Sequence, residues 1–332
     1  MSSLQEHDGN DMWRVLLPRE IHETGPNAIC DIAEFDSVDS YGTTPEDLIP
    51  HIEQYDAIIL RRAQLNADVI DAAQNLKVIS KHGVGLDNVN IDAATDHGIA
   101  VCNTPNANAR TVAEAAITHL LATRRNLVQA DTLVRNENWN ERSDWERFCH
   151  HTIEEETLGL FGFGNTAQET AKMAHGLGME CVAYDPYLKD SDFPKRVTRI
   201  SGTETLFDVS DAVSVHTPLT NETYRSIGLK ELRKIDYIVN TARGGIIDMK
   251  ALLTALDNDD LLAAGIDVLE EEPPSEDDPL LQRDDVILSP HIGAQSVESA
   301  INMSTSAAAN VRIVYDGEFP ESTVNKELLT EI

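Results

Sequence analysis

Three apolar runs in the last third of the chain each lead to a side chain that could take part in reducing a carbonyl. YIVNTARGGIID carries Arg243, AAGIDVLEEEPP carries Glu272 and VILSPHIGA carries His291. An arginine can hold a carboxylate through two parallel charge-assisted hydrogen bonds. A histidine can give a proton to a ketone oxygen, and a glutamate beside it can orient the ring and favour its protonated form. The trio therefore suits a 2-oxo acid, and what the chemistry still lacks is a source of hydride.

Residues 157–185, TLGLFGFGNTAQETAKMAHGLGMECVAYD, supply a candidate: an apolar run, a glycine-rich turn, a helical stretch and a second apolar run ending on an acid. Gly162 and Gly164 fill the first two positions of the G-x-G-x-x-G/A fingerprint, and Ala167 fills the third, where a small residue lets helix and strand pack closely. The helix start that follows, with Asn165 and Thr166, offers N–H groups and a positive dipole end to a pyrophosphate. Asp185 lies about twenty residues beyond Gly164, where an acid bonds a ribose 2′-hydroxyl. A carboxylate there repels a 2′-phosphate, so the expected cofactor is NAD rather than NADP.

These elements need a scaffold. WRVLLP, YDAIILR, LKVISKHG and IAVCNTP read as buried strands, with helical stretches such as NADVIDAAQN and NIDAATDHG between them. A long helical pattern runs from Ala109 to about Asn136, followed by a polar, aromatic-bearing arm, ENWNERSDWERFCHHTIEEE. DAVSVHTP, YIVNTAR, LAAGIDVL and DVILSPH are further strands, and VESAINMSTSAAANVRIVYDG is a last helix. Short apolar strands alternating with helices predict an α/β protein of two doubly wound, Rossmann-like domains with parallel sheets. The glycine turn comes late, after some hundred residues that already read as α/β. The expected arrangement is therefore an NAD-binding domain, residues 109–296, inserted into a substrate-binding domain, residues 1–108 and 297–332, with the active-site cleft between them.

The segments GVGLDNVNIDAA (83–94), NTPNANARTVAE (103–114), GLFGFGNTA (159–167), AYDPY (183–187), HTPLTNET (216–223), NTARGGIID (240–248), GIDVLEEEP (265–273) and SPHIGA (289–294) together resemble the D-isomer-specific 2-hydroxyacid dehydrogenases over nearly the whole chain. The resemblance implies that Arg243, Glu272 and His291 are the catalytic set and that Asp267, five residues before Glu272, binds the nicotinamide carboxamide. It also places Thr217 at the cofactor and the N–H groups of Val84 and Gly85 on the substrate carboxylate. It implies a homodimer formed through the 109–136 helix. Without it, each residue has a plainer reading: Glu270, Glu271 and Glu272 as a solvated acid run, Asp267 as a buried strand-end acid, His291 as a turn residue. Gly244 and Gly245 after Arg243 suggest close backbone approach to a ligand. Glu114 reads as a structural helix acid.

Arg61 and Lys81 end strands of the first domain, where basic residues in so acidic a chain would suit a second anionic group on the substrate, such as phosphate. Pairing with surface carboxylates is the plainer alternative. SKHGVGLDNVNIDAA and NARTVAE are similar to 3-phosphoglycerate dehydrogenases, although Glu141 stands in the arm where some of those enzymes have Trp-Asn-Lys. The chain also ends before the serine-sensing domain that many carry, so feedback through such a domain is not expected. Formate dehydrogenases of this fold have Gln where Glu272 stands. The alternative from another class is a corepressor-like sensor that binds NAD(H) with little turnover.

Fifty-seven acids stand against 26 bases, a net charge of −31. Such a surface repels nucleic acid and anionic membranes, so neither is an expected partner. Cys30, Cys102, Cys149 and Cys181 form no C-x-x-C pair, so neither a disulfide framework nor a metal site is expected. The leader MSSLQEHDGNDMW lacks the basic and apolar regions of a signal peptide, and no run is long enough to span a bilayer. A cytoplasmic protein follows, with a composition resembling that of salt-in halophiles. Self-repulsion at this charge is relieved as salt shortens the Debye length to about 3 Å at 1 M. The melting temperature should therefore rise between 0.1 M and 2 M KCl, and an unchanged melting curve would sink the halophile reading.

Overall fold

The structure is a computed structural model describing residues 12–37, 44–136, 138–140 and 148–329. The start of the leader, and Glu141 and Arg142 of the arm, lie outside the described residues. The chain separates into two compact units, Met1–Asn108 with Ser296–Ile332, and Ala109–Gln295.

The first unit holds a five-stranded sheet in the order β2-β1-β3-β4-β5, all parallel. The strands are β1 (Trp13–Leu17), β2 (Ala33–Ser37), β3 (Ala57–Leu60), β4 (Val78–Lys81) and β5 (Ala100–Cys102). Successive side chains enter different cores: Ile58 and Leu60 pack with Val69 and Ile70, while Ala57 and Ile59 pack with Ala307, Ala308 and Val311 of the helix Val297–Tyr315. Because both faces are covered, these strands read as continuous apolar runs rather than as alternating ones. β2 has no such run. As an edge strand, AEFDS carries polar residues, and Asp36 pairs with Arg14 of β1.

The second unit holds seven parallel strands in the order β12-β11-β10-β9-β6-β7-β8. They are β6 (Thr157–Phe161), β7 (Glu180–Tyr184), β8 (Val197–Arg199), β9 (Ala212–Val215), β10 (Tyr237–Asn240), β11 (Ala263–Ile266) and β12 (Val286–Leu288). The order reverses between β6 and β9, and the crevice at the carboxyl ends of strands beside such a reversal is where ligands bind in open α/β sheets. The helices Ala109–Arg124 and Asn165–Gly176 cover one face through Ala116, Leu120, Ala167 and Ala171, and Leu252 and Leu256 of Met249–Asp257 cover the other.

The helical pattern from Ala109 to Asn136 is not one helix. It breaks at Asn126, whose φ of 46° is left-handed, and resumes as Leu127–Arg135. Just before the break the buried Arg124 guanidinium lies 2.5 Å from the Glu156 carboxylate and 4.6 Å over the Tyr237 ring. Asparagine tolerates the left-handed conformation that ends one helix and starts the next. Glu114 receives the Nε–H of Arg110 at 3.1 Å on the exposed side of the helix.

In the first unit His82 is buried at the end of β4, its Nε2 3.0 Å from Ser304 Oγ. Burial, aided by Arg61 and Lys81, pushes its pKa from 6.5 down to about 4. Between those values an unfolded chain takes a proton at this ring that the folded one refuses, so stability falls as pH drops from about 6.5 toward 4. His82→Gln should reduce the loss of melting temperature between pH 7 and pH 5. A variant losing as much as wild type would show that His82 does not drive that limb.

Candidate active site

Every candidate residue of the second unit lies at or just beyond the carboxyl end of a strand. Gly162 and Gly164 follow β6, Asp185 follows β7, Thr217 follows β9, Arg243 follows β10, Asp267 and Glu272 follow β11, and His291 follows β12. Gly162 has φ 90°, and a Cβ there would fall 2.8 Å from the Thr217 N and 2.9 Å from the His216 carbonyl carbon. Only glycine lets the β6 turn lie against the chain leaving β9. A Cβ on Gly164 would meet nothing within 4 Å, so the backbone beside the helix N-terminus is open to an approaching group. Asp185 Oδ2 accepts the Phe163 N–H at 3.0 Å and its Oδ1 accepts that of Tyr187 at 3.0 Å, which ties the acid to the glycine turn. Ala167 is fully buried. An open glycine turn, a helix start and a strand-end acid are the parts a dinucleotide's phosphates and ribose require, so these residues fit NAD.

The His291 Nδ1 lies 2.7 Å from the Glu272 Oε2. Glu272 is itself anchored, because its Oε1 accepts the Leu269 N–H at 3.1 Å. The neighbouring acids have other duties or none: Glu270 receives Tyr224 Oη at 3.0 Å and Arg225 at 3.1 Å, and Glu271 is exposed. Since Glu272 accepts at Nδ1–H, the proton available to a substrate is the one on Nε2. His291 has φ 54°, a conformation costly for histidine and held by its surroundings. Its N–H donates to the Asp267 carbonyl at 2.8 Å, while the Asp267 carboxylate accepts from Ser289 Oγ at 2.5 Å, Ile292 N at 2.9 Å and Gly293 N at 2.8 Å. Asp267 is 2% exposed. It therefore anchors the histidine loop, a structural duty in addition to the carboxamide contact expected of it.

Arg243 is half-buried on a turn organised by Asn240, which ends β10 fully buried. The Asn240 Oδ1 accepts the Ala242 N–H at 3.0 Å and its Nδ2 donates to the Arg243 carbonyl at 2.9 Å. Sequence reasoning missed Asn240, although a polar residue closing the apolar run YIV was a signal. It also misread Gly244. A Cβ there would lie 2.0 Å from the Leu269 carbonyl carbon and 2.3 Å from the Glu270 N, so this glycine admits the Glu272 turn rather than a ligand. On Gly245 a Cβ would make only ordinary contacts, 3.4 Å from Leu219 and Tyr224.

In the first unit, Gly83 (φ 140°) opens the turn bearing Val84 and Gly85. The turn is held by the Asn103 amide on the Val84 carbonyl at 3.1 Å and by the Thr104 hydroxyl, which accepts the Gly83 N–H at 3.0 Å. Val84 is exposed. Lys81 is buried, its Nζ donating to the Arg61 carbonyl at 2.7 Å and to Asn88 Oδ1 at 2.6 Å, so it braces the strand ends. Arg61 donates to the Glu20 carbonyl at 3.2 Å, and burial followed by repulsion from Arg62 and Arg19 lowers its pKa. Among the described residues no group of three or more His, Cys, Asp or Glu could hold a metal ion, and no helix is long and apolar enough to cross a membrane.

Residues 117–293 match the family model described as D-isomer specific 2-hydroxyacid dehydrogenase, NAD binding domain. The chain is 37% identical over 324 residues to a D-3-phosphoglycerate dehydrogenase of Methanocaldococcus jannaschii, an alignment that takes in 95% of this chain and 60% of that protein. It is 35% identical over 322 residues to a glyoxylate reductase of Korarchaeum cryptofilum, across 95% of this chain and 97% of that one. A crystal structure of a glyoxylate reductase from Paecilomyes thermophila is similar with a TM-score of 0.85 at 28% identity, covering 95% of this chain and 99% of that one.

The packing at Gly244 is open to direct measurement. Gly244→Ala must displace the Leu269–Glu270 peptide, a cost of about 1–3 kcal/mol, so its melting temperature should fall by several degrees. Gly245→Ala should melt within about a degree of wild type, and two alanine variants melting alike would contradict the close approach.

Proposed function

Because the chain belongs to the D-isomer specific 2-hydroxyacid dehydrogenase family, we propose that it interconverts a 2-oxo acid and the corresponding D-2-hydroxy acid with NAD(H). The observation that carries this reading is the 2.7 Å contact between His291 Nδ1 and Glu272, on a loop anchored by Asp267. When bound, NADH supplies hydride to the carbonyl carbon. Arg243 holds the substrate carboxylate, joined by the N–H groups of Val84 and Gly85, and His291 Nε2 gives its proton to the carbonyl oxygen. Glu272 faces the imidazolium and keeps its ring oriented. General acid catalysis of this kind contributes about 10²–10⁴ in rate.

The dinucleotide rests on the Gly162–Gly164 turn and on the helix start at Asn165 and Thr166, with Thr217 beside it. Each Asp185 oxygen takes one N–H and retains a lone pair for a ribose hydroxyl. Asp267 accepts three hydrogen bonds through its carboxylate, so one position remains for the carboxamide. Two copies pair through the helices 109–124 and 127–135, a reading supported by the exposed Leu127, Val128 and Val134. The unpaired cysteines and acidic surface support a cytoplasmic site, in a salt-rich cell.

The substrate carries a second anionic group, as 3-phosphohydroxypyruvate does. Arg61 supports this, since the cations Arg62 and Arg19 crowd it and its guanidinium donates to the Glu20 carbonyl. Lys81 adds its charge nearby, its ammonium donating to the Arg61 carbonyl at 2.7 Å.

NADH oxidation in 2 M KCl against glyoxylate, pyruvate, hydroxypyruvate, phenylpyruvate and 3-phosphohydroxypyruvate tests the reading. We expect the phosphorylated acid to lead pyruvate by more than about tenfold in kcat/KM, or 1.4 kcal/mol, and Arg61→Gln to erase that lead. His291→Ala should lose most turnover yet bind NADH, and Arg243→Ala should lose turnover and substrate affinity. Equal rates with NADPH would contradict the role of Asp185. A wild-type protein that bound NADH and reduced none of these acids would be a sensor of the corepressor kind.

A further inference from the structure

Behind Asp267 a second, partly buried contact leads away from the cofactor residues and into the helix Ala109–Arg124. The Ser289 Oγ that donates to Asp267 Oδ1 at 2.5 Å also lies 2.8 Å from His119 Nε2. The carboxylate already takes the N–H groups of Ile292 and Gly293, so it acts as an acceptor and the serine proton points toward it. The serine oxygen is then free only to accept, which places the imidazole proton on Nε2. The opposite nitrogen, His119 Nδ1, is buried without a hydrogen-bond partner among the described residues, as an unprotonated ring nitrogen would be.

Two glycines make room for this chain. At Gly265 of β11 a Cβ would lie 2.9 Å from His119 Cβ, 3.0 Å from Thr123 Oγ1 and 3.1 Å from His119 Nδ1. The missing side chain lets the ring settle on the sheet two residues before Asp267. At Gly293 a Cβ would lie 2.8 Å from Asp267 Oδ2, so only glycine lets that N–H reach the carboxylate. The order of contacts is therefore Gly265, His119, Ser289, Asp267 and then the loop that holds His291 in its left-handed conformation.

We propose that His119 and Ser289 are positioning residues: they fix the Asp267 carboxylate and through it the loop 289–293, and so aim His291 in the reaction proposed above, on which this role in turnover rests. Neither touches a reacting atom. His119 serves as a neutral donor. Burial lowers its pKa, and the opposing pull of Asp267 is the smaller influence.

Removing the hydrogen bond while keeping bulk tests the chain. Ser289→Ala removes the serine's bond to the carboxylate, and His119→Leu removes the donor that holds the serine oxygen. Both should lower kcat for 2-oxo acid reduction by about tenfold to a hundredfold with KM nearly unchanged, since a misaimed acid acts in the transition state. His119→Gln and Ser289→Thr, which retain a donor and a hydroxyl, should recover most of the lost rate. Combining His119→Leu with Ser289→Ala should cost no more than the worse single change. Amide hydrogen exchange at Ile292 and Gly293, followed in folded protein without cofactor, gives a readout independent of turnover. It should quicken by about tenfold or more in the Leu and Ala variants.

Unchanged exchange at Ile292 and Gly293 would overturn the proposal, as would equal damage in the conservative and non-conservative variants. Quickened exchange in a protein whose wild type reduces no 2-oxo acid would uphold the anchoring of the loop and defeat the proposed reaction instead.

Discussion

The hydrogen bond between His291 Nδ1 and Glu272 Oε2 is the contact on which the rest of the site depends. A histidine can serve as a directed acid only when one ring nitrogen is committed and the other is presented, and this bond commits Nδ1. Its two partners come from the ends of different strands, β11 and β12, so it exists only while both turns keep their places. Glu272 is fixed by the Leu269 N–H, and Gly244 lets that turn lie against the one bearing Arg243. His291 is fixed by Asp267, which grips the loop on both sides of it. The turns bearing Arg243, Glu272 and His291 are thus joined through close contacts that no larger side chain at Gly244 would allow.

The parallel sheet supplies the framework for those turns. Running every strand the same way gathers all the strand-end loops of the second unit at one edge. Burial on both faces fixes the register of each strand and hence the starting point of each loop. The glycine turn after β6 belongs to the same edge and lies against the residues leaving β9. One geometry therefore gathers the glycine turn, the helix start after it and the strand-end side chains Arg243, Glu272 and His291 at a single edge.

The buried strands were legible in the sequence because burial on two faces writes them as apolar runs, and Arg243, Glu272 and His291 stood out as candidates because they follow the ends of such runs. Edge strands β2 and β8 were not, since an edge strand needs no such run. The break at Asn126 escaped periodicity because helical spacing resumes at once in Leu127–Arg135. Ser289 and His119 escaped because their meaning lies in hydrogen bonds between elements, and a single sequence records only the residue types. Gly244 was recognised as a place of close approach, but what approaches is the protein's own backbone. Lys81 was expected at a substrate anion from its type, and its bonds to the Arg61 carbonyl and to Asn88 show only in the fold.

That Glu272 acts through His291 is the central claim, and a double-mutant cycle measures it most directly. The quantity is kcat/KM for 2-oxo acid reduction in wild type, Glu272→Gln, His291→Ala and the double variant, all in 2 M KCl. If the carboxylate works only by holding the imidazole, the double variant should be no slower than His291→Ala alone. Additive losses, with the double variant slower by the product of the two single effects, would show that Glu272 acts independently and would contradict the account.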